Sequence, residues 1–270
     1  MSLIEAVVLG IVQGLTEFLP ISSSAHLRVV PALVGWEDPG AAFTAVTQLG
    51  TIGAVLLYFR TDLMRISRAA LRGVRNPVAR REPDARLAWY ILVGTVPIGV
   101  AGVMFEETIQ SAARNLMVVG LALILLALLL LLAERLGSHE RGTDSLRLKD
   151  GVLIGLAQAV ALIPGVSRSG GTITAGLLLN LDRRAAARYS FLLSVPAVIA
   201  SGLFQLPDLV NGATDPLAAA VATVLAFVVG YASIAWLLRF LTAHSTAVFA
   251  AYRIVLGVVV LGLAARGVIA

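Results

Sequence analysis

Residues 117–133 form an apolar run without one charged or polar side chain. At 1.5 Å per residue these residues make a helix of roughly 26 Å, which with its flanks covers the roughly 30 Å hydrocarbon layer of a bilayer. The whole chain has the same character: 14% of its residues are charged, where a soluble domain has about 25%, and its mean hydropathy is +0.89. The sequence therefore predicts an all-α integral membrane protein.

Six apolar segments are long enough to cross a bilayer, and a transmembrane helix is predicted over each: 43–59, 87–105, 116–133, 186–206, 217–238 and 248–265. Two further apolar regions are interrupted, 3–34 at Pro20 and 151–181 at Pro164. The arm 151–163 would be about 20 Å long as a helix, which is too short to span. Each interrupted region is therefore predicted to be a re-entrant helical hairpin, buried in protein or lining a wet cavity.

Basic residues are concentrated in three connecting loops, at 60–86, 134–150 and 182–188. The other three loops carry at most one arginine each, at 28–42, 106–115 and 207–216. The positive-inside bias places the first set in the cytoplasm and the second set outside. The pattern is satisfied if both termini lie outside a plasma membrane and the two hairpins enter it from opposite faces.

The two halves of the chain carry a similar motif. Gly10-x-x-Gln13 followed by Pro20-x-x-Ser23 matches Gly155-x-x-Gln158 followed by Pro164-x-x-Ser167, with a one-residue gap. Three predicted spans follow each hairpin. We therefore expect a single membrane domain over 1–270, built from an inverted repeat of about 1–135 and about 150–270, with a site near the midplane.

Polar side chains are clustered in the first hairpin: Gln13, Glu17, Ser22, Ser23, Ser24 and His26. Ionisable groups at membrane depth are costly, so each is a functional hypothesis. Gln13 and Glu17 share a helix face, and the helix should end near Leu19 because Pro20 disfavours helical geometry before it. A carboxylate, a hydroxyl and an imidazole can supply a base or metal ligand, a nucleophile and a proton carrier. A purely structural ion pair between Glu17 and Arg168 is the alternative.

The second hairpin contains a loop in which every functional group donates hydrogen bonds. Gly165, Gly170 and Gly171 let backbone N–H groups approach an anion, and a helix predicted after Gly171 would add its N-terminus. Arg168 offers a planar fork suited to phosphate oxygens. The remaining donors are the hydroxyls of Ser167, Ser169 and Thr172. The loop therefore predicts an oxyanion site.

Several classes of function are disfavoured. Cysteine is absent, which excludes a disulfide framework, a thiol nucleophile and a cysteine-based metal site. No basic patch is interleaved with aromatic residues, so nucleic acid is not expected as a partner. No P-loop motif is present, which disfavours ATP-driven transport by this chain alone.

At the two polar clusters the sequence resembles the undecaprenyl pyrophosphate phosphatase family, also called the bacitracin-resistance protein family. The first family motif is matched by Gln13-Gly14-Leu15-Thr16-Glu17, and the specific second motif, PGxSRSxxT, by Pro164 to Thr172. The resemblance covers nearly the whole chain. It departs at Gln13, where many members have Glu, and at Ser24 and Ala25, where Thr-Gly is common.

The resemblance implies metal-dependent removal of a phosphate from undecaprenyl pyrophosphate, which recycles a carrier lipid for peptidoglycan synthesis. It implies metal or acid–base roles for Gln13 and Glu17, and catalytic roles for Ser23, His26 and Arg168. Either Ser23 or His26 could be the nucleophile, and His26 is the nearest base for a serine. Ser167, Ser169, Gly170, Gly171 and Thr172 would support Arg168 in binding phosphate. A divalent cation, Mg²⁺ or Ca²⁺, would bridge Glu17 and the substrate, because hard ions prefer oxygen ligands.

Two other functions compete with this interpretation. A flippase for polyprenyl phosphate would use the same inverted repeat. Lipid phosphatases of the acid-phosphatase superfamily are disfavoured, because their motif requires a histidine where this chain has Thr174. The expected partners are undecaprenyl pyrophosphate and membrane lipid, with the active site open to the periplasm, and the sequence leaves a homodimer open.

Overall fold

The protein is built of helices. A computed structural model describes residues 1–105, 107–109, 115–204 and 215–269, and no β-strand occurs in these ranges. The α-helices in them are α1 (Leu3–Phe18), α2 (Ser23–Val34), α3 (Gly40–Tyr58), α4 (Arg60–Arg75), α5 (Pro83–Met104), α6 (Leu116–Leu136), α7 (Leu148–Val160), α8 (Arg168–Leu178), α9 (Arg183–Phe204), α10 (Pro216–Phe240) and α11 (Ala247–Ala265). The all-helical prediction is confirmed.

Within the described ranges, five helices are long and apolar enough to cross a membrane, namely α5, α6, α9, α10 and α11. A sixth candidate exists if α3 and α4, which are bent by 73° at Phe59, are counted as one broken span. The chain is therefore a multi-pass membrane protein with five or six candidate spans, against six in the prediction. The expected outer loops at 106–115 and 207–216 lie largely outside the described residues.

The segment 60–86, which was predicted to be a loop, contains the helix α4. Ile66, Ala69 and Gly73 lie on one side of α4 and are buried, where α4 packs against α5. The loop assignment was wrong because the arginines masked this narrow apolar face, which recurs at helical spacing.

The two interrupted regions are each a pair of short helices, α1 with α2 and α7 with α8. Helix α1 ends at Phe18, as Pro20 predicted. The helix predicted after Gly171 instead begins at Arg168, because the Ser167 side chain accepts a hydrogen bond from the backbone N–H of Gly170 and caps it there. Gly170 and Gly171 therefore lie inside the first turn of α8.

Glycines allow the first arm of each pair to pack closely against a span from the other half. Helix α1 contacts α10, and α7 contacts α5. A Cβ atom at Gly10 would lie 2.6 Å from the carbonyl oxygen of Ala222, and one at Gly155 would lie 2.3 Å from that of Gly94. Both distances are impossible for a real side chain, so these two helix pairs depend on glycine.

Candidate functional site

The turns between the paired helices have the same backbone conformation. Ser22 and Ser167 have φ values of 76° and 73°, in a region that residues other than glycine rarely adopt. The Ser22 and Ser24 hydroxyls are 3.2 Å apart, and those of Ser167 and Ser169 are also 3.2 Å apart. Ser22 is therefore the equivalent of Ser167. The motif match with a one-residue gap, which paired Ser23 with Ser167, was wrong at this position. A constant shift of 145 positions, with no gap, relates Gly10, Gln13, Ser22 and Ser24 to Gly155, Gln158, Ser167 and Ser169.

Arg253 of α11 joins the two turns. Its side chain is fully buried, and its guanidinium donates to Pro20 O at 3.2 Å and to Gly165 O at 2.8 Å. These carbonyls are equivalent under the same shift of 145 positions. Arg253 was not among the residues predicted from the sequence, although an arginine within the predicted span 248–265 indicates a functional or structural role.

Glu17 is the centre of the polar cluster between the turns. Its Oε1 pairs with Arg168 Nη2, and its Oε2 accepts from Ser23 Oγ at 2.6 Å and from Gln13 Nε2 at 3.2 Å. The Glu17 side chain is 8% exposed and that of Arg168 is 19% exposed. The structure therefore brings four of the predicted site residues into contact, from two parts of the chain.

Two helix N-termini meet at the Glu17 carboxylate. Ser23 and Arg168 are the first residues of α2 and α8, and Ser169 Oγ donates to Leu19 O at 3.0 Å across the two turns. Helix N-termini carry partial positive charge and unpaired N–H groups, so they favour anions. Together with the guanidinium of Arg168 they create a positive environment for a phosphate group.

His26 forms its hydrogen bonds with groups other than the Ser23 hydroxyl. Its Nδ1 lies 2.7 Å from Ser22 O, and its Nε2 lies 2.6 Å from the Tyr252 hydroxyl. A carbonyl oxygen only accepts, so Nδ1 carries a proton, and Nε2 of the neutral ring accepts from Tyr252. The Ser23 hydroxyl is bonded to Glu17 instead, so the nearest base to Ser23 is a carboxylate. Tyr252 was not predicted either, because nothing in the sequence distinguishes it from other residues of the span.

The N–H groups at the start of α8 differ in availability. The N–H of Gly170 donates to Ser167 Oγ at 3.1 Å, and that of Gly171 donates to Ser167 O at 2.8 Å. Thr172 Oγ1 contacts Ser190 Oγ at 2.6 Å and joins α8 to α9. Among the described residues no partner occurs for the N–H groups of Arg168 and Ser169, so these two are open to an anion.

The glycines of this loop allow close packing. A Cβ atom at Gly170 would lie 3.0 Å from Arg253 Nη1, and one at Gly171 would lie 3.2 Å from Ala157 O. Gly165 has a φ of 92°, which strains any other residue. The glycines hold the second turn against its neighbours, and Arg168 and Ser169 supply the donors.

The residues beside Glu17 fit a hard divalent cation that also binds substrate. Gln13 Oε1 is buried and has no hydrogen-bond partner among the described residues, and Gln13 Nε2 contacts Glu17. At many Mg²⁺ sites the protein supplies only one or two oxygen ligands, and substrate phosphates and water supply the others. One carboxylate and one amide oxygen match that arrangement. No group of three or more His, Cys, Asp or Glu residues that could hold a metal occurs in the described part of the chain.

Comparison with known proteins gives concordant results. A family model described as bacitracin resistance protein BacA matches residues 6–259. A protein of Myxococcus xanthus named undecaprenyl-diphosphatase is 55% identical over 273 residues, which cover 99% of this chain and 91% of that protein. Proteins with the same name from Nocardioides sp. and Kineococcus radiotolerans are 54% and 56% identical to this chain. Both alignments cover 99% of this chain, and they cover 98% and 95% of those two proteins, respectively.

Proposed function

The chain belongs to the bacitracin resistance protein BacA family, and on that basis we infer that it is an undecaprenyl-diphosphatase. It removes the terminal phosphate of undecaprenyl pyrophosphate and leaves undecaprenyl phosphate, the carrier lipid used in cell-wall synthesis. Relatives from Myxococcus xanthus, Mycobacterium sp. and Nocardioides sp. that share more than half of its residues carry that name. The structural observation that carries the inference is the contact of Glu17 with Arg168 where two helix N-termini meet.

Arg168 and the start of α8 would bind the terminal phosphate. A guanidinium has five N–H donors in a fixed fork, and among the described residues Glu17 is the side chain to which that of Arg168 donates a hydrogen bond. The remaining donors, together with the N–H groups of Arg168 and Ser169, can stabilise the equatorial oxygens of the transferring phosphoryl group. Ser167, Gly170, Gly171 and Thr172 would act by shaping the turn.

Ser23 is the nucleophile that this geometry favours. Its hydroxyl already donates to Glu17 at 2.6 Å, so Glu17 can take the proton as Ser23 Oγ bonds to the terminal phosphorus. The bridging P–O bond then breaks, and undecaprenyl phosphate departs with both electrons of that bond. The proton on Glu17 would pass to the departing phosphate oxygen, so Glu17 could next take a proton from water as the water oxygen bonds to the phosphorus of the phosphoserine. The bond between phosphorus and Ser23 Oγ would then break, Ser23 would regain a proton from Glu17, and inorganic phosphate would leave.

His26 would have a different task. Its Nε2 accepts from Tyr252 and its Nδ1 donates to Ser22 O, so both ring nitrogens are engaged. An attack by His26 on phosphorus would require the loss of the Tyr252 hydrogen bond. A role in carrying a proton to or from the departing group fits the observed hydrogen bonds better.

Glu17 and Gln13 Oε1 would hold the divalent cation, Mg²⁺ or Ca²⁺. When bound, such an ion offsets the negative charge of the two phosphates. The glutamine leaves one fewer negative charge than a second glutamate would. A chelator should therefore lower the rate, and full activity in EDTA would contradict a metal role.

The membrane topology is part of the proposal. We take α1 with α2 and α7 with α8 as re-entrant hairpins of an inverted repeat. The shift of 145 positions between the turns and the matched packing of α1 on α10 and of α7 on α5 support it. The loop charges support a plasma-membrane protein whose termini and active site face the periplasm.

The flippase function is not favoured, because the relatives are named for hydrolysis. Homodimer formation stays a prediction, and light scattering of the purified protein in detergent would test it.

Phosphate release by the purified protein in detergent tests the function directly. With a long-chain polyprenyl pyrophosphate and Mg²⁺, wild type should release inorganic phosphate, and detergent removes the two compartments that flipping needs. Glu17→Gln keeps the shape but removes the base, so kcat should fall by at least about 10²-fold, the usual contribution of a positioned base. Wild-type-like turnover by folded Glu17→Gln would contradict the mechanism, and a lack of release by wild type would contradict the function.

A further inference from the structure

Helix α4 lies at a steep angle to α3, the helix that precedes it. It leaves α3 with a bend of 73°, so α3 and α4 cannot both follow the bilayer normal. One face of α4, with Ile66, Ala69 and Gly73, is buried in the protein. If α3 crosses the membrane, α4 runs nearly in the plane of its surface.

The opposite face of α4 is exposed and combines apolar side chains with arginines. Met64, Leu71 and Val74 have 50%, 71% and 57% of their surface exposed. Their spacing places them together on one side of the helix, with Arg68 and Arg75 beside them. We call these five residues the outer face of α4. Apolar side chains interleaved with arginines are typical of helices that lie at a membrane surface.

The arginines of α4 differ in whether they have carboxylate partners. Arg65 pairs with Asp62 and Asp84, and Arg72 pairs with Glu82. Arg68 and Arg75 form no ion pair with any residue in the described ranges. The positive charge of the outer face is therefore not neutralised by this part of the protein.

We propose that the outer face of α4 binds anionic phospholipid headgroups. The acyl–headgroup boundary supplies both things that this face requires: an apolar layer for Met64, Leu71 and Val74, and phosphates for Arg68 and Arg75. The surface is separate from the Glu17 site and takes a lipid that is not the substrate. It does not depend on the phosphatase mechanism.

Retention of lipid by the purified protein tests the charge requirement. The probe is phosphatidylglycerol vesicles, with phosphatidylcholine vesicles as the neutral comparison, and lipid bound after detergent extraction is counted by native mass spectrometry. The double variant Arg68→Gln/Arg75→Gln should bind phosphatidylglycerol about 10- to 30-fold more weakly, because each arginine near an anionic surface contributes about a factor of five. Lys149→Gln/Arg184→Gln removes the same charge from exposed positions outside α4 and should retain the lipid.

Equal retention by wild type and the α4 double variant would overturn the proposal, as would equal loss in the control. A preference for phosphatidylglycerol that survives in the α4 variant would place the lipid site elsewhere.

The depth of α4 can be measured independently. The chain has no cysteine, so Leu71→Cys gives a single site for a spin label. In phosphatidylglycerol vesicles the label should be more accessible to oxygen than to a water-soluble nickel chelate, as in the acyl region. Glu140→Cys, in the 134–150 loop, should show the reverse. A label at position 71 that is as accessible to the chelate as one at position 140 would contradict membrane contact.

Discussion

Glu17 accepts hydrogen bonds from three side chains that come from both interrupted regions. Arg168, which is 151 positions away in sequence, contacts one carboxylate oxygen, and Ser23 and Gln13 contact the other. A buried charge that loses its partner is costly, and breaking such a pair typically destabilises a protein by about 3–5 kcal/mol. The same contact therefore serves stability and chemistry. For this reason isosteric substitutions are more informative than alanine here.

The hydroxyl of Tyr252 fixes the orientation of His26. Tyr252→Phe keeps the aromatic ring, whose centroid lies 5.6 Å from that of the nearly parallel His26 ring, and removes only the hydroxyl that donates to His26 Nε2. We expect kcat to fall by about 10-fold, the order expected for losing one hydrogen bond of about 1 kcal/mol or slightly more, with little change in Tm.

The shape of the pH–rate profile separates two explanations of a Tyr252→Phe defect. If His26 carries a proton in the reaction, the profile of the variant should shift along the pH axis. A fall in rate with an unchanged profile would assign Tyr252 a packing role, and an unchanged rate would remove the pair from the mechanism.

Arg253 determines how the two turns are held together. It lies on α11 and binds equivalent carbonyls of both turns, Pro20 O and Gly165 O. A third bond to Leu123 O anchors it to α6. One buried side chain thus connects the helix pairs that supply Glu17 and Arg168.

Arg253→Met should abolish most activity and lower Tm. The variant fills a similar volume but leaves buried carbonyls unpaired, at about 1–3 kcal/mol each. Arg253→Lys can reach one carbonyl and should recover part of the stability, while kcat stays low because one ammonium cannot hold both turns. Full kcat in Arg253→Met, measured at a temperature where it is folded, would show that the turns do not need this contact.

The close contact of α7 with α5 depends on the absence of a side chain at Gly155. Gly155→Ala should lower the thermal midpoint in detergent, because its Cβ would overlap Gly94 O at 2.3 Å, and overpacking typically costs about 1–3 kcal/mol. Gly99→Ala is the matched control, since a Cβ atom there meets nothing within 4 Å. Equal midpoints for the two variants would contradict the tight packing of this pair.

The predicted topology assigns each loop of the chain to one side of the membrane. Single cysteines at Glu37 and Glu140 test it, because both positions are exposed and lie in loops of opposite predicted side. On intact cells, an impermeant maleimide should label Glu37→Cys, and label Glu140→Cys only after the cells are opened. The reverse pattern would invert the orientation, and labelling of both in intact cells would refute the topology.

The helical segments and their breaks were predictable because their causes are local. Apolar runs long enough to span, and the proline at position 20, specify where helices extend and end. The residue types for phosphate chemistry were also visible, since charged groups are rare in such segments. Helix α4 was not predicted because its buried apolar face is narrow and lies among many arginines. The start of α8 was placed too late because the Ser167 cap starts the helix before the glycines, which were expected to precede it.

The amino-acid sequence alone was enough to specify an all-helical membrane protein, two interrupted helices, and the polar residues around Glu17 and Arg168. The contacts among these residues could be read only from the folded protein: Ser23 meets Glu17 rather than His26, His26 meets Tyr252 at a separation of 226 positions, and Arg253 meets both turns. The physical reason is that helix formation depends on neighbours within a few turns. The partner of a buried polar group depends instead on how distant helices pack, and at Gly10 and Gly155 that packing depends on the absence of single atoms.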